Sequence, residues 1–234
     1  MRAIGLVVPS RNRVMEADFH RRVPHDVCVA TSRVWKARAR VDVAALDEVL
    51  AHFEEAAERV ATTKVDVIMF GCTSASFMHG AEATEALESR TREQTGIPTL
   101  TTSTAVAECL RRLGVQKVAI FTPYTDELNE RERAYFEAKG FRVSRVGGLG
   151  FETSEENYSC PPERIRGQAL EFMADDDAAL FISCTNFRAY PVASALAREL
   201  GRTVVTSNMA SLWASLERLG HPKADSILAE GRPE

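Results

Sequence analysis

The sequence predicts an α/β protein of two pseudo-symmetric parallel-sheet lobes, related by internal duplication, with the active site in the cleft between them. Three observations carry this. Apolar runs of strand length alternate with helix-period segments. Those runs are hydrophobic at nearly every position, as strands buried on both faces are. Finally, three stretches of the first half recur in the same order in the second.

The elements follow in chain order. Met1 to Pro9 is apolar but too short for an export leader, and no small-residue cleavage site follows it, so it reads as a first strand. Asp42 is placed to cap one helix that buries Leu46, Val49, Leu50, Phe53, Ala57 and Val60. Val65 to Phe70 is a buried parallel strand. Asp126 to Lys139 is a helix stopped by Gly140. Ala178 to Ile182 is the matching buried strand of the second half, and a last long helix runs from about Ser207 to Leu219.

The repeat joins these pieces. Ile4 to Ser10 matches Val118 to Tyr124, and Asp66 to Ser74 matches the stretch ending Ser183-Cys184-Thr185-Asn186. Ala107 to Gly114 matches Trp213 to Gly220. The separation shortens slowly along the chain, as expected of one βα unit copied with small deletions. This predicts an N-terminal lobe of residues 1–105 plus 207–234 and a C-terminal lobe of residues 106–206, with the last helix packing back on the first lobe. Ligands of open parallel sheets sit beyond the carboxyl ends of the strands, so the two strand-end faces should meet across one cleft.

Composition removes several classes of function. The chain has 234 residues, 45% hydrophobic and 26% charged, enough for one large core or two smaller ones. A net charge of -4 leaves no basic footprint for nucleic acid. No apolar stretch is long enough for a membrane span. Five cysteines, widely spaced and with no Cys-x-x-Cys, argue against a disulfide framework or a zinc site and for a reducing cytoplasm. No phosphate-binding, dinucleotide or His-Glu-x-x-His motif occurs. Asp175-Asp176-Asp177 reads as a solvated turn.

Two cysteines stand apart. Each lobe has one directly after a buried strand, followed by small hydroxyl or amide residues: Gly71-Cys72-Thr73-Ser74 and Ser183-Cys184-Thr185-Asn186. A helix starting at each point would aim free N–H groups at the strand end, bind a carboxylate and lower the thiol pKa. Thr73, Ser74, Thr185 and Asn186 add side-chain donors. Cys28, Cys109 and Cys160 read as core or loop residues. A facing thiol pair suits proton transfer at carbon or attack on it.

These motifs resemble the aspartate/glutamate racemase superfamily, and the resemblance spans essentially the whole chain. Pro9-Ser10-Arg11-Asn12, with Glu16 beyond, looks like the opening of its maleate cis-trans isomerase group. Thr122-Pro123-Tyr124 looks like that group's second-lobe strand end, and Cys184 to Arg188 is similar to a racemase-like ectoine-utilisation protein. The resemblance implies that Cys72 is the nucleophile or first acid/base and Cys184 the opposing one. Asn12 and Tyr124 then contact a substrate carboxylate, with Ser10 of the same opening motif beside them. An asparagine often covers the site in that group, and either Asn157 or Ser154 would stand in its place here. Arylmalonate decarboxylases, in the same group, have glycine where Cys72 stands, which disfavours decarboxylation.

The activity so implied is isomerisation of a small dicarboxylate by a cytoplasmic homodimer, with no metal or other cofactor. Amino-acid racemisation is the nearest alternative. A non-catalytic anion-binding protein and a redox-sensing thiol pair are readings from other classes.

Overall fold

The computed structural model describes residues 1–233 and contains two four-stranded sheets, all parallel. The first is built from β1 (Arg2–Pro9), β2 (Val27–Val34), β3 (Val67–Phe70) and β4 (Thr99–Thr101), in the order β2-β1-β3-β4. The second uses β5 (Lys117–Thr122), β6 (Arg142–Gly148), β7 (Ala179–Ile182) and β8 (Thr203–Thr206), in the order β6-β5-β7-β8. The two orders are the same order shifted by four strands, which is the duplication seen in the sequence. In each sheet the winding reverses beside the first strand, between β1 and β3 or between β5 and β7. A crevice opens at such a switch point.

The central strands are buried because helices cover both faces of each sheet. Ile4, Leu6, Val7, Val67, Ile68, Met69 and Phe70 have no solvent exposure, nor do Ala119, Ile120, Leu180 and Phe181. This apolar saturation is the reason the strands read as continuous runs rather than alternating ones.

The helix expected after Asp42 is two helices, Val43–Ala51 and Phe53–Ala61, divided at His52 (φ −107°, ψ 3°). Asp42 does cap the first, its Oδ1 accepting from the Ala45 N–H at 2.9 Å. The break arises because the two pieces bury different faces. The first packs on the short helix Thr73–Phe77, and the second on β1, β2 and β3, where Phe53 packs on Phe70 of β3 with ring centroids 4.2 Å apart. One straight helix cannot serve both partners. The Asp126–Ala138 helix ends as expected, with Gly140 at φ 88°. Asp177 is a correction to the solvated turn: it is buried, accepts from the Ala174 N–H at 2.9 Å and pairs with Arg145 at 3.0 Å.

Two further helices exchange between the lobes. Thr102–Arg112 follows β4 yet reaches β8, while Ser207–Arg218 follows β8 and packs on β3. Both are capped alike, Thr101 accepting from the Thr104 N–H and Thr206 from the Met209 N–H, each at 3.2 Å. They pack on each other, and Ser211 donates to Thr102 at 3.2 Å. A single hydrophobic core therefore runs through both sheets. That continuity holds the two strand-end faces at a fixed separation. Among the described residues no helix is long and apolar enough to cross a membrane.

Candidate active site

The segments after β1, β3, β5 and β7, the strands flanking the two switch points, converge on one cleft of about 400 Å³, its mouth included. They contribute Asn12, Cys72, Tyr124 and Cys184, one from each. Val41 and Leu46 supply apolar wall, and Ser154 and Asn157 come from the second-lobe segment after β6.

Cys72 is the N-cap residue of the Thr73–Phe77 helix, with its sulfur 3.8 Å from Ser74 Oγ. The turn into it requires Gly71. A Cβ there would lie 2.4 Å from Met15 Sδ and 2.8 Å from Val8 Cγ1, so no side chain fits where the strand end passes between them. In the second lobe the expected helix is missing: the chain makes a turn and reaches helical geometry only at Tyr190. Cys184 itself has φ 89°, a left-handed conformation rare outside glycine. The turn aims the Asn186 N–H at Cys184 Sγ (3.4 Å), and Asn157 Nδ2 approaches the same sulfur at 3.8 Å.

Neither thiol has the depressed pKa expected from the sequence. Burial pushes both up, because a thiolate loses more hydration than a thiol. For Cys72 this is opposed by the Ala75 N–H, the Ser74 hydroxyl and the charge of Lys36. Cys184 is pushed up to about 12 by burial, opposed by the nearby Tyr124 hydroxyl and by the Asn186 N–H, and the charges of Cys72 and Glu132 raise it further. The sulfurs are thus inequivalent: the charge of Lys36 acts more strongly on Cys72 than on Cys184, and Cys184 has Cys72 and Glu132 to raise it further.

The other predicted residues divide into those with free donors and those that brace the cleft. Tyr124 is buried with its hydroxyl beside Cys184 and lacking a hydrogen-bond partner; burial holds its phenol well above the usual range. Among the described residues the Ser74 hydroxyl has the Cys72 sulfur as its hydrogen-bond partner. Asn12 accepts at Oδ1 from the Val14 and Met15 N–H groups (3.0 and 3.1 Å), a local Asx-type turn, and donates through Nδ2 to Thr185 Oγ1 at 3.0 Å. Its second Nδ2 hydrogen is what it can offer a ligand. Thr185 donates on to Gly71 O (3.0 Å), and Thr73 donates to Ser207 Oγ (2.9 Å). Asn186 accepts from the Arg13 N–H (2.9 Å) and donates to Ser154 O (3.2 Å). Thr73, Thr185 and Asn186 line the cleft, but their side-chain bonds tie its walls together. Ser10 does not line it. Its hydroxyl accepts from the Lys36 N–H at 3.1 Å, outside the cleft wall. Glu16 pairs with Arg33. Both Ser154 and Asn157 line the cleft.

Sequence reasoning missed Lys36 and Arg11. Lys36 is 4% exposed and lies in the loop after β2, with nothing in its neighbours Trp35 and Ala37 to mark it. Arg11 stands inside the opening motif and pairs with Glu155 at 3.1 Å. Among the described residues no three His, Cys, Asp or Glu side chains gather as metal ligands.

By fold and by site the protein is an enzyme of the aspartate/glutamate racemase superfamily, in its maleate isomerase and arylmalonate decarboxylase group. The fold matches that of a cysteine-to-serine mutant of Nocardia farcinica maleate cis-trans isomerase, solved with a covalently bound succinylcysteine intermediate. The TM-score is 0.88 at 28% identity, over 95% of this chain and 94% of that one. The chain belongs to the arylmalonate decarboxylase family, whose model matches residues 4–231. It is 30% identical to the arylmalonate decarboxylase of Bordetella bronchiseptica over 220 residues, 93% of this chain and 90% of that protein. It is 29% identical to the maleate isomerase of N. farcinica over 232 residues, 96% and 92% of the two chains.

Proposed function

We propose that the chain is a cofactor-independent isomerase that interconverts the cis and trans forms of a small unsaturated dicarboxylate, with Cys72 and Cys184 as its two acting groups. The observation that carries this is the pair of inequivalent sulfurs, one per lobe, on one cleft. Cys72, next to a cation, is suited to act as thiolate. Cys184, pushed up to about 12, is suited to keep its proton.

The Cys72 thiolate adds to one alkene carbon, forming a C–S bond. The alkene π electrons move to the neighbouring carbon and its carboxylate. The former double bond is now single and rotates. Cys184 donates a hydrogen bond or its proton to the carbanion-like centre and recovers that proton before release. Expulsion of the thiolate re-forms the double bond in the trans geometry. Tyr124, the second Asn12 N–H and Asn157 are placed to hold the charge that builds on the carboxylate. The chemistry lies entirely in the thiols, so it calls on no metal or organic cofactor.

The thiol in the first lobe favours this over decarboxylation, since the decarboxylases of the group have glycine there. The succinylcysteine in the N. farcinica neighbour supports covalent attack in a matching fold. A cytoplasmic homodimer belongs to the same reading, and light scattering at working concentration checks the dimer. The test of the mechanism is turnover of maleate followed by loss of its absorbance. Cys72→Ala and Cys184→Ala should each lower kcat by about 10³-fold or more while leaving the circular dichroism unchanged. A fully active Cys184→Ala protein ends the scheme. Deuterium appearing at Cα of L-aspartate in heavy water would instead identify a racemase.

A further inference from the structure

Among the described residues the buried ammonium of Lys36 makes no ion pair with a carboxylate, although it lines the cleft. Its ammonium donates to Ser154 Oγ at 2.9 Å and lies 3.5 Å from Ala39 O, both neutral acceptors. No carboxylate among the described residues pairs with it. The anionic partners that act on it are the two cleft sulfurs when ionised, Cys72 foremost, and Glu155, which is already paired with Arg11. Lysines at loop positions ordinarily extend the amine into water. Here the backbone is held so that this cannot happen easily. The Lys36 N–H donates to Ser10 Oγ, and the Lys36 and Ala37 carbonyls accept from the Arg11 guanidinium at 3.1 and 2.8 Å. The end of β1 thus fixes the loop that places the amine. Burying an ammonium without an anion is costly, and burial accordingly pushes Lys36 down from the usual lysine range. A buried cation lining the cleft, hydrogen-bonded only to neutral acceptors and free of any carboxylate partner among the described residues, fits a carboxylate brought by the ligand.

Building on the small-acid reading above, we infer that Lys36 binds the second carboxylate of the substrate and so sets the specificity of the cleft. It selects small acids charged at both ends over acids with one carboxylate and an apolar tail. The first carboxylate lies with Tyr124 and Asn12, the reacting carbons between the two sulfurs, and the second carboxylate against the ammonium and the Ser154 hydroxyl. Cys72 gains from the same charge, but the geometry distinguishes the two roles. The Nζ atom is anchored on Ser154, in the second-lobe wall, rather than hydrogen-bonded to sulfur.

Saturated acids test this without turnover, because they have no alkene for a thiol to attack. Titration calorimetry with succinate and with butyrate is compared for the wild type, Lys36→Met and Lys36→Gln. The wild type should bind succinate about 10- to 100-fold more tightly than butyrate, the worth of one charge-assisted contact. Lys36→Met should lose that preference and keep its butyrate affinity. Lys36→Gln retains a donor for Ser154 without the charge, so it should behave the same way and serves if the methionine variant folds poorly. Equal weakening toward both acids, or an unchanged preference, overturns the role of Lys36 while leaving the carboxylate site intact. A wild type that binds neither acid overturns the small-acid reading itself.

Discussion

The Asn12 amide donates to the Thr185 hydroxyl at 3.0 Å, bonding the end of β1 in one lobe to the turn behind Cys184 in the other. Thr185 passes the contact on to Gly71 O, the residue before Cys72. One buried threonine therefore links the backbone of both cysteine segments. Thr185→Val keeps the shape but leaves the Asn12 N–H and the Gly71 carbonyl without that partner. It should cost about 2 kcal/mol of stability in urea unfolding and lower kcat more than it raises KM. Thr185→Ser should restore most of the stability.

Glu132 makes stability depend on pH. It has no exposure, donates nothing while ionised, and accepts from Ser183 Oγ at 2.6 Å; burial raises its pKa from 4.5 to about 8. The native state thus holds this proton more tightly than the unfolded chain does. The stabilisation is complete below about pH 4.5 and disappears as pH rises through about 8. Glu132→Gln has no proton to lose. Its unfolding free energy relative to wild type should grow by about 2–4 kcal/mol between acidic and alkaline buffer. Parallel wild-type and mutant curves would show that the carboxyl does not ionise in this range.

Cys184 sits at φ 89°, where a Cβ is strained and glycine is not. Substituting the thiol in two ways separates strain from chemistry. Cys184→Gly should melt higher than Cys184→Ala, by the equivalent of about 1 kcal/mol, and both should be inactive. An equal or lower melting temperature for the glycine variant would show that the turn is not under strain. A strained residue at a reacting position is a common price of aiming a side chain into a site.

Much of this was legible in the chain because duplication leaves a double record. The run Val67 to Phe70 and its counterpart Ala179 to Ile182 are short, apolar and followed by Cys-Thr in each copy, and that coincidence marks Cys72 and Cys184. Asp42 and Gly140 were readable as caps because capping is decided within a few residues. The break at His52 was not readable, since the same apolar spacing continues through it and only the position of two different packing partners divides the helix. Asp177 likewise looks like surface charge until Arg145, distant in sequence, covers it.

The amino-acid order alone determined the two parallel lobes, the strand ends that meet at the cleft and the two sulfurs on them, because periodicity, caps and repeats are local or self-similar signals. Tertiary structure alone decided that the thiols are raised rather than depressed, that Thr73, Thr185 and Asn186 brace the walls, that Ser10 stands outside the cleft and that Lys36 lies within it. Each of these depends on dehydration or on partners far along the chain, and neither quantity is written in the residues beside the group it governs.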